Sequence, residues 1–379
     1  MSERGRMPGV QRLAVPLMLV VAAVSLVLVA LSDGSRAESA ARARAAKPVE
    51  GSSRGERIPA VTIGWVGDIV LGSRYGVPAN GGRDLLASVR PLLRDVDVMI
   101  GNLEGAIGTS GAAKCVIGTP NCFAFQAPPI AANTLAWAGF DVVNLANNHA
   151  YDYGQIGLQE TMSHLERAGV KHTGARKQIT LMRQRRVTIA VLGFAAYPWS
   201  ARLDDIPAAV ELVKRARASA HVVVVTMHAG GEGTDEMHTP RGKEIAFGES
   251  RGKTRAFAHA VINAGADVVF GSGPHVIRGV ERWRDALIIY STGNFIGYNA
   301  LPTTGELALS ALTRVTINRH GLLLEGEWIP LRLIPPGQPR IDKRKRTSAE
   351  VAAELSVADF QQPGIRSNGH LITPSPPAS

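Results

Sequence analysis

Six short apolar runs in this chain each stop abruptly on polar side chains, and that pattern restricts the fold more than any other feature. Val61-Thr-Ile-Gly-Trp-Val-Gly67-Asp68 ends on a carboxylate. Val96-Asp-Val-Met-Ile-Gly101-Asn102-Leu-Glu104 ends on an amide and a carboxylate. Asp141-Val-Val-Asn144-Leu-Ala-Asn147-Asn148-His149 breaks into amides and an imidazole, with Asp152 and Gly154 close behind. The run opened by His221 leads to His228 and Glu232, that opened by Ala266 to Gly273-Pro274-His275, and that opened by Leu287 to Gly293-Asn294-Phe295. Short runs rich in β-branched residues read as buried strands. In an α/β sheet, the loops past the strands' C-terminal ends form the ligand-binding edge. Carboxylates, an amide oxygen and several imidazoles on one such edge are the donor set of a divalent transition metal.

Segments with helical periodicity separate the runs: 84–94, 128–138, 154–168, 206–218 and 254–264. The alternation predicts one α/β domain with a mostly buried sheet. Past Leu307 the helical segments stop. Ala311–Asn318 and Leu322–Trp328 alternate as antiparallel strands joined near Arg319-His320-Gly321, and are expected to extend or complete a second sheet. A short helix is expected over Ser348–Leu355 and an unstructured tail over residues 364–379, where Pro and Ser accumulate.

The net charge of +10 is concentrated at the ends. Residues 1–60 carry nine Lys/Arg against five Asp/Glu, and residues 332–379 carry seven against four. The central domain is thus nearly balanced, which argues against a nucleic-acid surface and for no nucleic-acid partner. Leu13–Leu31 holds no charged residue and follows Arg4, Arg6 and Arg12, the layout of an export signal or a signal anchor. Its length favours an uncleaved anchor, while Ser35-Arg-Ala37 offers a weak cleavage site. The bulk of the chain is therefore expected outside the cytoplasm, held to the cell membrane. Cys115 and Cys122 lie in a Gly/Pro-containing loop, where they could close a small disulfide in an oxidising compartment or remain free thiols. Zinc binding by this pair lacks a second Cys pair to support it.

In this order, Gly67-Asp68, Asn102-Leu-Glu104, Asn147-Asn148-His149 with Asp152-x-Gly154, His228-x-Gly-x-Glu232, Pro274-His275-Val276 and Ser291-x-Gly-Asn294-Phe295 resemble the CapA family, which acts in poly-γ-glutamate capsule biosynthesis. The resemblance covers residues 61–345, between an anchor and linker at 1–60 and a C-terminal helix and tail at 346–379. It implies the calcineurin-like metallophosphoesterase superfamily: an α/β, four-layer αββα sandwich with metal at the strand ends. It further implies Asp68, Glu104, Asn148, His228 and His275 as ligands of divalent metal ions, with Mn, Fe or Zn as candidates, and His149 as the group that protonates a leaving group. Asn102, Glu232 and Asn294 belong to the same pattern and stand as candidate substrate contacts. Two departures matter. The superfamily's first motif carries Asp-x-His, where this chain has Asp68-Ile-Val70. Gly273 stands where a further His is usual, so that ligand place is left to water or Glu232, or stays empty. Three readings remain open: a capsule-polymer protein whose pocket takes an anionic polymer or phosphorylated precursor, together with membrane synthase subunits; a metal-dependent phosphoester hydrolase unrelated to capsule; and a non-catalytic polymer-binding scaffold. Whether the protein is an enzyme is undecided at this level.

The location is directly testable. A reporter fused after Pro59 is expected to be active only in an export-dependent assay, and recovery of the native chain wholly from the cytosol would remove the anchor reading.

Overall fold

The computed structural model describes residues 58–116, 119 and 122–373. The apolar run Leu13–Leu31 and the linker after it lie outside these residues, as does the end of the tail from 374. Among the described residues no helix is long and apolar enough to cross a membrane.

Two sheets form the body. In the first, the central strand Ala60–Val70 runs parallel to Val98–Leu103, followed by Val142–Asn144 and Lys171–Thr173. On its other side it pairs antiparallel with Leu309–Asn318, then Leu323–Ile334 and Gln338–Ile341. The second sheet has parallel strands Ala286–Ile289, Val268–Ser272, Val222–His228 and Val187–Ala195, with antiparallel edges Val280–Trp283 and Thr180–Gln184. The C-terminal strands thus complete the first sheet, not the second. The strand opened at residue 60 has a free edge away from its parallel neighbours, and Leu309–Asn318 fills it.

Strand side chains alternate between two faces, and here both faces are buried. Ile63, Trp65, Val98 and Ile100 meet Ile189, Val191, Val224 and Phe270 between the sheets. Trp65 stacks on Phe270 across that gap, their rings 5.6 Å apart, so Trp65 is core as expected. The alternate residues Val66, Ile69, Met99 and Val143 pack outward against Leu86, Leu93, Leu135 and Leu165 of the helices on that side. Leu192, Val223, Val225 and Val269 do the same against Leu212, Val213, Phe257 and Val261. The result is the expected order of helices, sheet, sheet and helices.

The helix expected over 84–94 is broken into Arg83–Leu86 and Arg90–Leu93. Pro91 sits in the first turn of the second piece, where its missing N–H leaves no bond unmade. Ile130–Ala138, Gly154–Arg167, Ile206–Ser219 and Thr254–Asn263 lie where periodicity put helices. Ser348–Asp359 is longer than expected, and Thr347 with Glu350 forms a capping box at its start.

The tail is a correction. Residues 363–372 are paired, not unstructured: Gly364 N–H donates to Val280 O, and Leu371 N–H donates to Gly326 O. Leu371 and Ile365 are buried in the interior between the sheets. Composition pointed to disorder, but two apolar residues suffice to dock a short segment against exposed strand groups. Leu371→Ala is therefore expected to lower the unfolding free energy by about 2–5 kcal/mol, as for other buried Leu truncations. Denaturant unfolding with no change in midpoint would contradict the docking.

Candidate metal centre

Strand register brings the polar motifs together. Asp68 is level with Asn102 on one side and Asn294 on the other, Asn102 with Asn144, and His228 with Ser272. Gly67 permits the close approach on the Asn294 side, since a Cβ there would lie 2.0 Å from the Gly293 carbonyl oxygen. Asp68, Glu104 and His228 are fully buried and each offers one ligand atom within 4.8 Å of the others. His228 Nδ1 lies 3.7 Å from Asp68 Oδ1, and its Nε2 3.7 Å from Glu104 Oε1. His275 closes the group from the second sheet's side, with Nδ1 3.2 Å from Asp68 Oδ2 and Nε2 3.7 Å from Glu104 Oε1. Asn148 stands on the loop after Val142–Asn144, next to His149, whose ring interacts electrostatically with both His228 and His275.

These residues fit a cation. Both Glu104 carboxylate oxygens, His228 Nε2 and Asn148 Oδ1 are buried without a hydrogen-bond partner. Each such atom costs about 1–3 kcal/mol if nothing answers it, and those of Glu104 and His228, which face each other at 3.7 Å, suit a positive charge. Burial pushes the Glu104 carboxyl well above the carboxylate range, and the neighbouring Asp68 charge pushes it further. Burial drives His228 down to about 3, leaving a neutral imidazole with a lone pair to give. His275 is opposite: burial disfavours its charge, but Glu104, Asp68 and Glu232 outweigh this and raise its pKa well above the usual value. In the cation-free arrangement, protonated His275 is the counter-charge of the acids. A metal held by these residues would take the place of that counter-charge.

Two of the candidate substrate contacts have their amides engaged within the protein. Asn102 is fully buried and its amide is spent on the protein: Nδ2 donates to Asp68 Oδ1 at 2.8 Å and sits 3.2 Å from His228 Nδ1, while Oδ1 accepts from Asn144 and Asn147. It orients ligands. Asn294 is buried too, its Oδ1 2.7 Å from His275 Nδ1 and its Nδ2 donating to the His275 and Leu307 carbonyls. Holding Nδ1 of an imidazole by an oxygen leaves Nε2 for metal, the usual support of a ligating His. Glu232 does reach the site's edge, with Oε2 3.8 Å from His275 Nε2, but its Oε1 is held by Arg251 Nη2 at 2.6 Å.

His149 Nδ1 lies 2.8 Å from Asp152 Oδ2. A carboxylate only accepts, so Nδ1 carries the hydrogen and Nε2 is the free nitrogen. Burial lowers the His149 pKa, against the pull of Asp152. Lys114 holds the other Asp152 oxygen at 2.6 Å, and Phe125 lies on the His149 ring at 4.3 Å. The two flank the segment that the Cys115–Cys122 disulfide closes. Asp152 therefore shapes the surroundings of His149.

A seventh strand end went unread. Val187–Ala195 leads into Tyr197-Pro198-Trp199, and Tyr151, Trp199 and Tyr197 form a parallel stack with ring separations of 4.9 and 5.0 Å. Trp199 Nε1 donates to Asn147 O, which ties the stack to the metal loop. The sequence signal was available: an apolar run broken by aromatics in place of charges. Arg251 was missed because it stands on no such run.

Residues 62–299 match the sequence profile of the family described as Bacterial capsule synthesis protein PGA_cap. The PGA biosynthesis protein CapA of Bacillus subtilis (strain 168) is 28% identical over 281 residues, covering 69% of this chain and 69% of that one. The capsule biosynthesis protein CapA of Bacillus anthracis is 27% identical over 302 residues, covering 74% and 69%. Among solved structures, a Staphylococcus aureus chain assigned as a 5'-nucleotidase, in complex with alpha-ketoglutarate, superposes with a TM-score of 0.46 at 15% identity. That match covers 78% of this chain and 58% of the other, so the chain spans under two thirds of that structure's length.

Gly273 is not simply a ligand lost. Its φ is +111°, its N–H donates to Asp68 Oδ2, and an added Cβ would lie 3.1 Å from both Ala229 N and His228 Nε2. Gly273→His is therefore expected to destabilise the fold by more than about 1 kcal/mol without adding metal. A calorimetric titration showing an extra metal equivalent at unchanged Tm would show that the backbone accepts a ligand there.

Proposed function

The chain belongs to the PGA_cap family of bacterial capsule synthesis proteins, and from that premise we propose that it works on an anionic capsule-type polymer, of which poly-γ-glutamate is the model, or on its phosphorylated precursor, at a divalent-metal site outside the cytoplasm. Asp68, Glu104, Asn148, His228 and His275 would hold the metal. The observation that carries this reading is the set of buried, unpartnered donor atoms on Glu104, His228 and Asn148. A structural core has no use for them, whereas a cation between Glu104 and His228 would satisfy both, with Asn148 offering a further oxygen from the neighbouring loop. The charge-free run Leu13–Leu31 behind Arg4, Arg6 and Arg12 supports membrane anchoring, and the Cys115–Cys122 disulfide supports an oxidising compartment. Membrane synthase subunits are the partners this placement calls for.

A metal bound by such a donor set polarises a carbonyl or phosphoryl oxygen and lowers the pKa of water. The protein's own part is positional. Asn102 and Asn294 fix the ligands' rings and carboxylates. His149 presents Nε2 beside them, backed by Asp152, and there it can take or give one proton. Among the three readings left open by sequence, metal-assisted hydrolysis accounts best for this His149–Asp152 pair, which a scaffold that only binds polymer does not require.

His149→Ala is expected to lower any hydrolytic rate by about 10²–10⁴-fold with metal content unchanged, whereas Asp68→Ala loses metal and activity together. Turnover on γ-glutamyl polymers and on phosphoesters, with metal measured in parallel, decides the matter. A metal-loaded wild type inert on both classes would leave only binding.

A further inference from the structure

Beside the aromatic stack lies a separate hollow of about 270 Å³. Its floor is apolar, formed by Phe194, Ala201, Ala209 and Leu212, all buried. Its rim carries four cations: Arg176, Lys177, Arg202 and Arg215. The acids on the rim are already engaged. Asp205 caps the helix Ile206–Ser219 by accepting from Ala208 N, and Glu211 pairs with Lys214. Arg202 is paired with Asp204. Arg176, Lys177 and Arg215 are exposed and have no acidic partner among the described residues. The hollow is not remote from the metal centre in the chain's layout. Ser200 lines it, Ser200 bridges Ala175 beside Arg176, and the preceding residue is Trp199, which donates to Asn147 O.

We propose that this hollow is a second binding site for the polymer, in which Arg176, Lys177 and Arg215 hold successive carboxylates of one chain while its methylene groups lie on the apolar floor. This rests on the anionic-polymer reading above and names the part of the ligand that the metal centre does not hold. Arg176 and Lys177 stand on one turn and Arg215 on the helix Ile206–Ser219, so the cations reach the hollow from two separate elements, as suits charges spaced along a chain. A single compact phosphate would instead be gripped by convergent donors, as guanidinium forks grip it. The apolar floor has no role toward a phosphate alone. A polycarboxylate with methylene spacers uses both features. With one segment held at the hollow, another segment of the same chain is presented to the metal centre at high effective concentration, which raises affinity without any new contact at the metal.

The test uses the full-length protein, metal-loaded, and fluorescently labelled γ-linked glutamate oligomers followed by anisotropy. The triple variant Arg176→Ser, Lys177→Ser, Arg215→Ser changes only exposed side chains outside the metal centre, so metal content and Tm are expected to match wild type. Its affinity for long oligomers is expected to fall about tenfold or more, with a weaker salt dependence, because several charge contacts are lost at once. Asp68→Ala, which removes metal, is expected to retain binding that depends on the three cations. Equal affinity of wild type and triple variant for the oligomer would overturn the proposal while leaving the metal-centre reading intact. Wild-type binding of polyphosphate or anionic-lipid vesicles, lost in the triple variant, with no binding of the glutamate oligomer, would also overturn it and reassign the hollow to phosphate. Cation-dependent oligomer binding in a protein with no turnover would uphold the hollow and remove only the catalytic reading.

Discussion

Two carboxylates, Asp68 and Glu104, are fully buried where the ends of two sheets meet, and much of the surrounding structure follows from that. Taking such charges out of water costs several kcal/mol each unless something opposite replaces the solvent. The protein supplies part of the answer. Asn102 donates to Asp68, Gly273 offers it a backbone N–H, and protonated His275 stands against both acids. It does not supply all of it, because both Glu104 oxygens stay unpaired. A fold whose only task was stability would replace this acid with an apolar side chain. That it is retained, with a neutral His228 beside it, is the strongest physical argument for a cation.

The opposite edge of the sheets shows what acids do when they serve structure. Asp97, Asp141 and Asp267 each accept a backbone N–H from the start of a neighbouring strand, those of Thr62, Met99 and Val223. Asp267 is also paired with Arg217, although burial still pushes its pKa up to about 6. These carboxylates are fully used and lie at the strands' N-terminal ends. The contrast with Glu104 separates the two edges by chemistry as well as by position.

That contrast also explains what the sequence made legible. Strands and their polar ends were readable because a buried strand has a short apolar signature and its last residues must change character to meet the site. Asp68, Glu104, Asn148, His228 and His275 were found this way, and the geometry brings the first two and both His side chains into one cluster. Roles were harder to read than places. Asn102 and Asn294 look like substrate amides in a motif, but register puts them behind the ligands, where every polar atom is already taken. Gly273 reads as a missing His until its positive φ and its contact with the His228 ring are known. Arg251 could not be found from motifs, because it reaches Glu232 from a hairpin with no strand-end pattern. The docked tail around Leu371 was hidden by its polar neighbours.

The same reasoning refines the proton chemistry. An imidazole at its ordinary pKa could serve as acid or base near neutrality, and His149 reads so from sequence. Inside the fold, burial lowers its pKa, and Lys114, by holding Asp152, takes back part of what that carboxylate gives. The resting form is therefore neutral, with Nδ1–H directed at Asp152 and Nε2 open. An anionic ligand arriving beside Nε2 shifts the balance, because a nearby negative charge favours the imidazolium. Lys114 itself immediately precedes the disulfide-closed segment, and its side chain is substantially exposed beside Asp152. On the proposed reading, proton transfer at His149 would in this way be tied to occupancy by an anion, and a metal held by the buried acids, not the imidazole, would decide where that anion binds.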